Sequence, residues 1–141
     1  MKIIVIDGQG GGIGKSIISR IRQENINAEI IAVGTNAIAT MNMQKSGPSA
    51  GATGESAIVY NSRKCTEQDV ITGPMGIINA YALHGEISPE MVIAISSSEA
   101  KKILLPSHHC SMYVAGVADK PLSAYMDDLI SILKSFGMDN V

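Results

Sequence analysis

A chain of 141 residues, 45% apolar and 17% charged, carries enough apolar material for a packed core and too little charge for a disordered segment. The length suits one domain over residues 1–141 and excludes a separate substrate domain. A net charge of -2 without a basic run argues against nucleic acid and anionic membrane as partners, and aromatics at 4% offer no stacking platform for bases.

The apolar opening ends at Asp7, too early for a signal-peptide core or a membrane span, and no other apolar run approaches membrane length. Cys65 and Cys110 stand far apart and outside any CxxC pattern. That usage points to a reducing cytoplasm rather than a disulfide framework.

Lys2 to Asp7 is a β-branched run of the kind found in a central strand buried on both faces. After a glycine-rich break, Ile13, Ile17, Ile18 and Ile21 recur at helical spacing and predict an amphipathic helix. Ala28 to Gly34 reads as a second strand, followed by a helix over about 36–45. Ser46 to Gly54 is a loop by composition, and Glu55 to Arg63 a helix. Asp69 to Gly73 is a third, short strand ending at Gly73-Pro74-Met75-Gly76, with a helix expected around Ile77 to His84.

The stretch 88–106 has two readings. Ser88-Pro89-Glu90 has the signature of a helix start, which makes Met91 to Ala100 helical and Lys102 to Leu105 the fourth strand. The rival makes Val92 to Ile95 a strand and Glu99 to Leu104 a helix; the capping signal favours the first. Met112 to Val117 is expected as a fifth strand, and from Pro121 the spacing of Leu122, Tyr125, Met126, Leu129, Ile132, Leu133 and Phe136 predicts an amphipathic helix. Strands alternating with helices imply an α/β domain, a parallel sheet of about five strands covered on both faces. Ligands of such sheets bind at the carboxyl edge, where strand order reverses.

The segment Asp7-Gly8-Gln9-Gly10-Gly11-Gly12-Ile13-Gly14-Lys15-Ser16 joins the first strand to the first helix. A helix N-terminus offers unpaired amides and partial positive charge, glycines let a phosphate approach the backbone, and Lys15 can add a full charge. The spacing Gly8-x-x-x-Gly12-x-Gly14 resembles the glycine signature of short-chain dehydrogenases. GxGxxG is not met in either register, and a P-loop ending in Gly14-Lys15-Ser16 would need glycine where Gln9 stands. Gly10 to Ser16 also resembles the deviant phosphate loop of ParA-like ATPases, whose signature lysine would fall at Gly10. The three patterns share one expectation: a phosphate-bearing ligand, a nucleotide or dinucleotide, at this turn.

Gly34-Thr35-Asn36 ends the second strand, where dinucleotide enzymes often place a ribose-binding acid or a phosphate-binding arginine. Neither is present, but Thr35 and Asn36 can hydrogen-bond a ribose. Gly73 and Pro74, small and at the end of the third strand, would let a ring or phosphate lie close. Other features favour plain readings. Tyr60-x-x-x-Lys64 matches the short-chain dehydrogenase pair as a string but sits too early in the chain. His108-His109-Cys110 could ligate a metal or supply a thiolate, yet no acid lies nearby in sequence, so no metal site is assigned. Asp7 is better placed to cap the turn than to hold a cation. Asp119 only faintly matches a metal-holding acid, and Met41 and Met43 read as core or dimer-seam residues.

Over nearly its whole length the chain resembles a family of short bacterial proteins known only as a domain of unknown function. The resemblance rests on IIVIDGQGGGIGK, ITGPMGI, LHGEISPEM and KKILLP. It implies a Rossmann-like fold and carries over no catalytic residue. The expectation is a binding or sensing module for a phosphate-bearing ligand, held by Gly8 to Ser16 with Thr35, Asn36, Gly73 and Pro74. The alternative is a small nucleotide-dependent enzyme, an NAD(P)-dependent oxidoreductase or ATPase-like protein. A chain this small has little surface to cover a sheet and enclose a ligand, so a two-fold homodimer is expected.

Overall fold

The computed structural model describes residues 1–107 and 111–137. Five parallel strands, β1 (Lys2–Asp7), β2 (Glu29–Gly34), β3 (Ala50–Thr53), β4 (Val70–Pro74) and β5 (Lys101–Leu105), form one sheet in the order β3-β2-β1-β4-β5. Helices α1 (Gly12–Gln23), α2 (Ala37–Gln44), α3 (Glu55–Lys64), α4 (Pro89–Ser97) and α5 (Leu122–Ser135) cover its two faces. This is a Rossmann-like three-layer α/β arrangement.

The alternation of a pleated strand splits β1 between two cores. Ile3 and Val5 pack with Ile17, Ile18 and Ile21 of α1 and with Met126, Leu129 and Leu133 of α5. Ile4 and Ile6 pack with Ile58 of α3, Ile71 of β4, and Met91 and Ile95 of α4. Isoleucine dominates because a strand buried on both faces needs β-branched side chains at every position. Each fully buried isoleucine contributes roughly 1.5–3 kcal/mol relative to exposure.

At 88–97 the capping signal prevails over the strand reading. The Ser88 hydroxyl accepts from the Met91 N–H at 3.3 Å, Pro89 opens α4 and Glu90 lies in its first turn. Three expectations are overturned. Within the predicted loop 46–54, Ala50–Thr53 is an edge strand paired with β2 from Ile31↔Ala50 to Gly34↔Thr53. Its residues have little strand preference of their own. The ladder to β2 and the hydrogen bond from Thr53 Oγ1 to Thr40 Oγ1 (2.8 Å) hold it, so tertiary pairing overrides local composition.

The helix expected over 77–84 is a single 3-10 turn, Met75–Ile78, followed by turns in which Tyr81, Leu83, His84 and Gly85 have positive φ. The strand expected over 112–117 is absent. Tyr113 is 95% exposed, and the Val117 N–H closes a turn on the Val114 carbonyl through left-handed Gly116. Its run of apolar residues meets no partner strand among the described residues, and β5 is left as the sheet's edge.

In the order β3-β2-β1-β4-β5 the chain leaves β1 toward β2 and returns on the other side as β4. The reversal point is therefore the gap between the carboxyl ends of β1 and β4, and both the glycine turn and Pro74 lie there.

Candidate functional site

β1 delivers Asp7 to this edge, where its side chain is nearly sealed at 4% exposure. One carboxylate oxygen accepts from the Gly8 N–H at 2.8 Å and the other from the Gly14 N–H at 2.7 Å. α1 begins after left-handed Gly11, which has no side chain to cap it, so the acid at the strand's end serves instead. Burial pushes the Asp7 carboxyl above its ordinary pKa. The amides of Gly14, Gly8 and Ile13 pull it back, and the Glu86 charge adds to the rise. Asp7→Ala would strand the buried amides, so we expect a loss of about 2 kcal/mol in urea unfolding. A loss below about 0.5 kcal/mol, the scale of surface substitutions, would show that the cap is dispensable.

The five glycines from Gly8 to Gly14 divide into two groups. A Cβ at Gly8 would press on Leu83, Thr35 and Glu86; at Gly11 it would meet the Ala39 backbone; at Gly14 it would meet Met43 and Asp7. These three let the turn sit tightly against its neighbours. A Cβ at Gly10 or Gly12 would meet nothing within 4 Å. Neither amide has a protein acceptor among the described residues. The surplus of glycine over what packing needs therefore resides in Gly10 and Gly12.

The opposite wall is the segment 79–86. Its folding back is fixed by the bond from the Tyr81 N–H to the Ile87 carbonyl (2.6 Å) and by that from the Gly85 N–H to the Tyr81 carbonyl (3.0 Å). Left-handed backbone at Tyr81, Leu83 and His84 is costly for side-chain-bearing residues, about 1–3 kcal/mol each, and persists only where surrounding contacts demand it. Glu86 supplies such contacts. Its Oε1 accepts from Thr35 Oγ1 (2.6 Å), Asn36 Nδ2 (2.8 Å) and the Gln9 N–H (3.0 Å), while Oε2 accepts from Gln9 Nε2. Burial opposes ionisation of Glu86, but the bonds from Thr35, Gln9 and Asn36 outweigh it and hold its pKa below the ordinary glutamate value.

Between the two walls lies a cleft of about 690 Å³. Gly8 to Ile13 form one side, Pro74 and 79–84 the other, and Ser107 and Ser111 the rim. Of the residues anticipated from sequence, Gly8, Gln9, Gly10, Gly11, Gly12, Ile13 and Pro74 line it. Gly14, Lys15 and Ser16 continue into α1, where the Ser16 hydroxyl donates to the Gly12 carbonyl at 3.0 Å. Gly73 is buried behind Pro74. Thr35 and Asn36 lie on the β2 side of the turn, bonded to Glu86, and the Asn36 oxygen also caps α2 through the Ala39 N–H (2.9 Å).

The match of the chain to protein families decides its affiliation: the model of Domain of unknown function (DUF3842) covers residues 2–137. The chain belongs to this family. No curated protein and no solved structure matches it.

Sequence reasoning passed over two parts of this DUF3842 site. Glu86 stands out only as one residue of the LHGEISPEM stretch, and the wall 79–84 lies within the helix expected around Ile77 to His84. No local pattern marks a glutamate that bonds to residues about 50 and 77 positions away. The remaining candidates lie elsewhere. Tyr60 and Lys64 sit on α3, off the cleft, with the Lys64 ammonium 4.7 Å from the ring centroid. That ammonium draws the exposed Tyr60 hydroxyl below its usual pKa. Asp119 belongs to the irregular segment after β5 rather than to a strand end, while Met43 is buried and Met41 is 61% exposed. His108, His109 and Cys110 lie outside the described residues; among the described residues no three His, Cys, Asp or Glu side chains converge as a metal site, and no helix is long and apolar enough to cross a membrane.

Proposed function

We propose that this DUF3842 domain binds a nucleotide or another phosphate-bearing ligand in the cleft between the glycine turn and the wall 79–84. One observation carries the reading. Gly10 and Gly12 present open space and unengaged amides to a cleft at the reversal point of a parallel sheet, beside the positive end of α1. The cleft falls within the roughly 300–1,000 Å³ common for small-molecule sites. Asp7 takes the amides of Gly8 and Gly14, which leaves Gly10 and Gly12 as the donors for an anion.

A binding or sensing role fits better than catalysis. The donors on the glycine turn itself are the Gly10 and Gly12 amides, and the buried acid beside them is already committed to capping. The test is a calorimetric titration with inorganic pyrophosphate, AMP, ADP, GMP and NAD. Gly12→Val places a branched side chain in the open space, and we expect it to weaken the bound compound at least about tenfold while the fold is kept, the scale of one lost charge-assisted bond. Equal affinity in a folded Gly12→Val protein, or no binding across the panel at millimolar concentration, would end this reading.

A further inference from the structure

We infer that Glu86 is a specificity-determining residue: it closes the β2 side of the site and confines the ligand to the β1–β4 side, selecting a mononucleotide or smaller phosphate ester over a dinucleotide. The inference rests on the phosphate reading above and goes further by naming the size and orientation of the ligand.

In dinucleotide-binding folds the phosphates lie on the first helix N-terminus, and the adenosine ribose reaches an acid at the end of the second strand. Here that place follows Gly34 and holds Thr35 and Asn36. A carboxylate does stand there, brought from the β4–α4 connection by Glu86. It is not free to take a ribose. A carboxylate has about four acceptor sites. Those of Glu86 meet four donors: the Thr35 hydroxyl, the Asn36 amide, the Gln9 N–H and the Gln9 side chain.

Space is closed as well as hydrogen-bonding capacity. An atom built at the Cβ position of Gly8 would lie 2.8 Å from Leu83 Cδ1, 2.8 Å from Thr35 Oγ1 and 3.1 Å from Glu86 Oε1. The trough between the ends of β1 and β2, where an adenosine would run, is filled by these groups. The Gln9 side chain reinforces the closure by donating to the Leu83 carbonyl at 3.1 Å. The cleft opens the other way, between Gly10 or Gly12 and Pro74, Tyr81 and Ser107. A phosphate on the glycine amides must therefore direct its organic part across β4. There Tyr81, 69% exposed, offers an aromatic face to it.

The test compares AMP with NAD, which share an adenosine phosphate and differ in the second nucleotide. In the unmodified protein AMP should bind at least tenfold more tightly than NAD. In amide NMR spectra AMP should move Gly10, Gly12 and Tyr81 and leave Thr35 and Asn36 in place. Glu86→Ala removes all four bonds at once, so the AMP-to-NAD preference should fall at least fivefold. A general loosening would weaken both compounds alike and leave the ratio unchanged. Thr35→Val deletes one donor at constant volume and should shift the ratio the same way by less. NAD bound as tightly as AMP by the unmodified protein, with shifts at Thr35 and Asn36, would overturn the confinement. A ratio unmoved in Glu86→Ala would overturn the role of Glu86. If neither compound, nor pyrophosphate, binds any of the three proteins, the phosphate reading itself fails and this inference with it.

Discussion

Gly73→Ala should be the most damaging single-methyl change in this protein, with an expected loss of about 3 kcal/mol or more, at the upper end for overpacking. The β4–β1 ladder ends at Val5↔Thr72, whereas the β4–β5 ladder continues to Pro74↔Leu105. At Gly73 the β4 backbone lies against the Ile6 carbonyl, so a Cβ there would overlap that oxygen. The obstacle is backbone in the middle of the sheet, and no rotamer change relieves it. Only a shift of β4 away from β1 would, and Ile71 and Thr72 are fully buried on that strand. Urea unfolding measures the loss. A midpoint unchanged from the unmodified protein would show that β4 can move at no cost.

The second large effect separates two adjacent glycines. Gly11 has φ +71°, and a Cβ would stand 2.6 Å from the Ala39 carbonyl oxygen and 2.9 Å from Ala39 Cα. A left-handed alanine costs about 1–2 kcal/mol, and the overlap with α2 backbone adds about 1–3 kcal/mol. We therefore expect Gly11→Ala to lose about 2–5 kcal/mol, the sum of those two effects. Gly12, one residue on, has open space and begins α1. Gly12→Ala should change stability by less than about 0.5 kcal/mol, as at an unencumbered surface position. Paired urea curves decide it, and similar losses in the two variants would refute the division between packing glycines and cleft-facing ones. A valine at Gly11 would report on folding rather than on a ligand, so Gly12 is the position at which to probe binding.

Much of this was legible in the chain because it depends on near neighbours. The β-branched run of β1, the isoleucine period of α1, and the Ser88-Pro89-Glu90 start of α4 are all local. The bond that fixes the start of α4, from the Met91 N–H to Ser88 Oγ, spans three residues, whereas the β1 run is a local signal whose ladder partners, β2 and β4, are distant. The glycine run marked the turn for the same reason, and Asp7 was placed as its cap because the amides it serves begin one residue away. Composition and alternation also led to a parallel α/β sheet of about five strands, and the sheet has that number.

Its membership was another matter. Ala50–Thr53 is a strand because β2 offers it a ladder, and 112–117 is not one because its apolar run finds no neighbour to pair with among the described residues. A strand is a property of two segments, and one of them is always distant in sequence. The same holds for the site. Five glycines in a row of seven announce a special turn, but which serve packing depends on Ala39, Met43, Leu83 and Glu86, all brought there by the fold. By itself the sequence determined the strand–turn–helix and its place at the carboxyl edge of the sheet. Only the tertiary structure decided that Gly10 and Gly12 face the cleft and that a glutamate 77 residues beyond Gln9 shuts its β2 side. Hydrogen-bond partners and excluded volume across such distances leave no periodic trace in the chain.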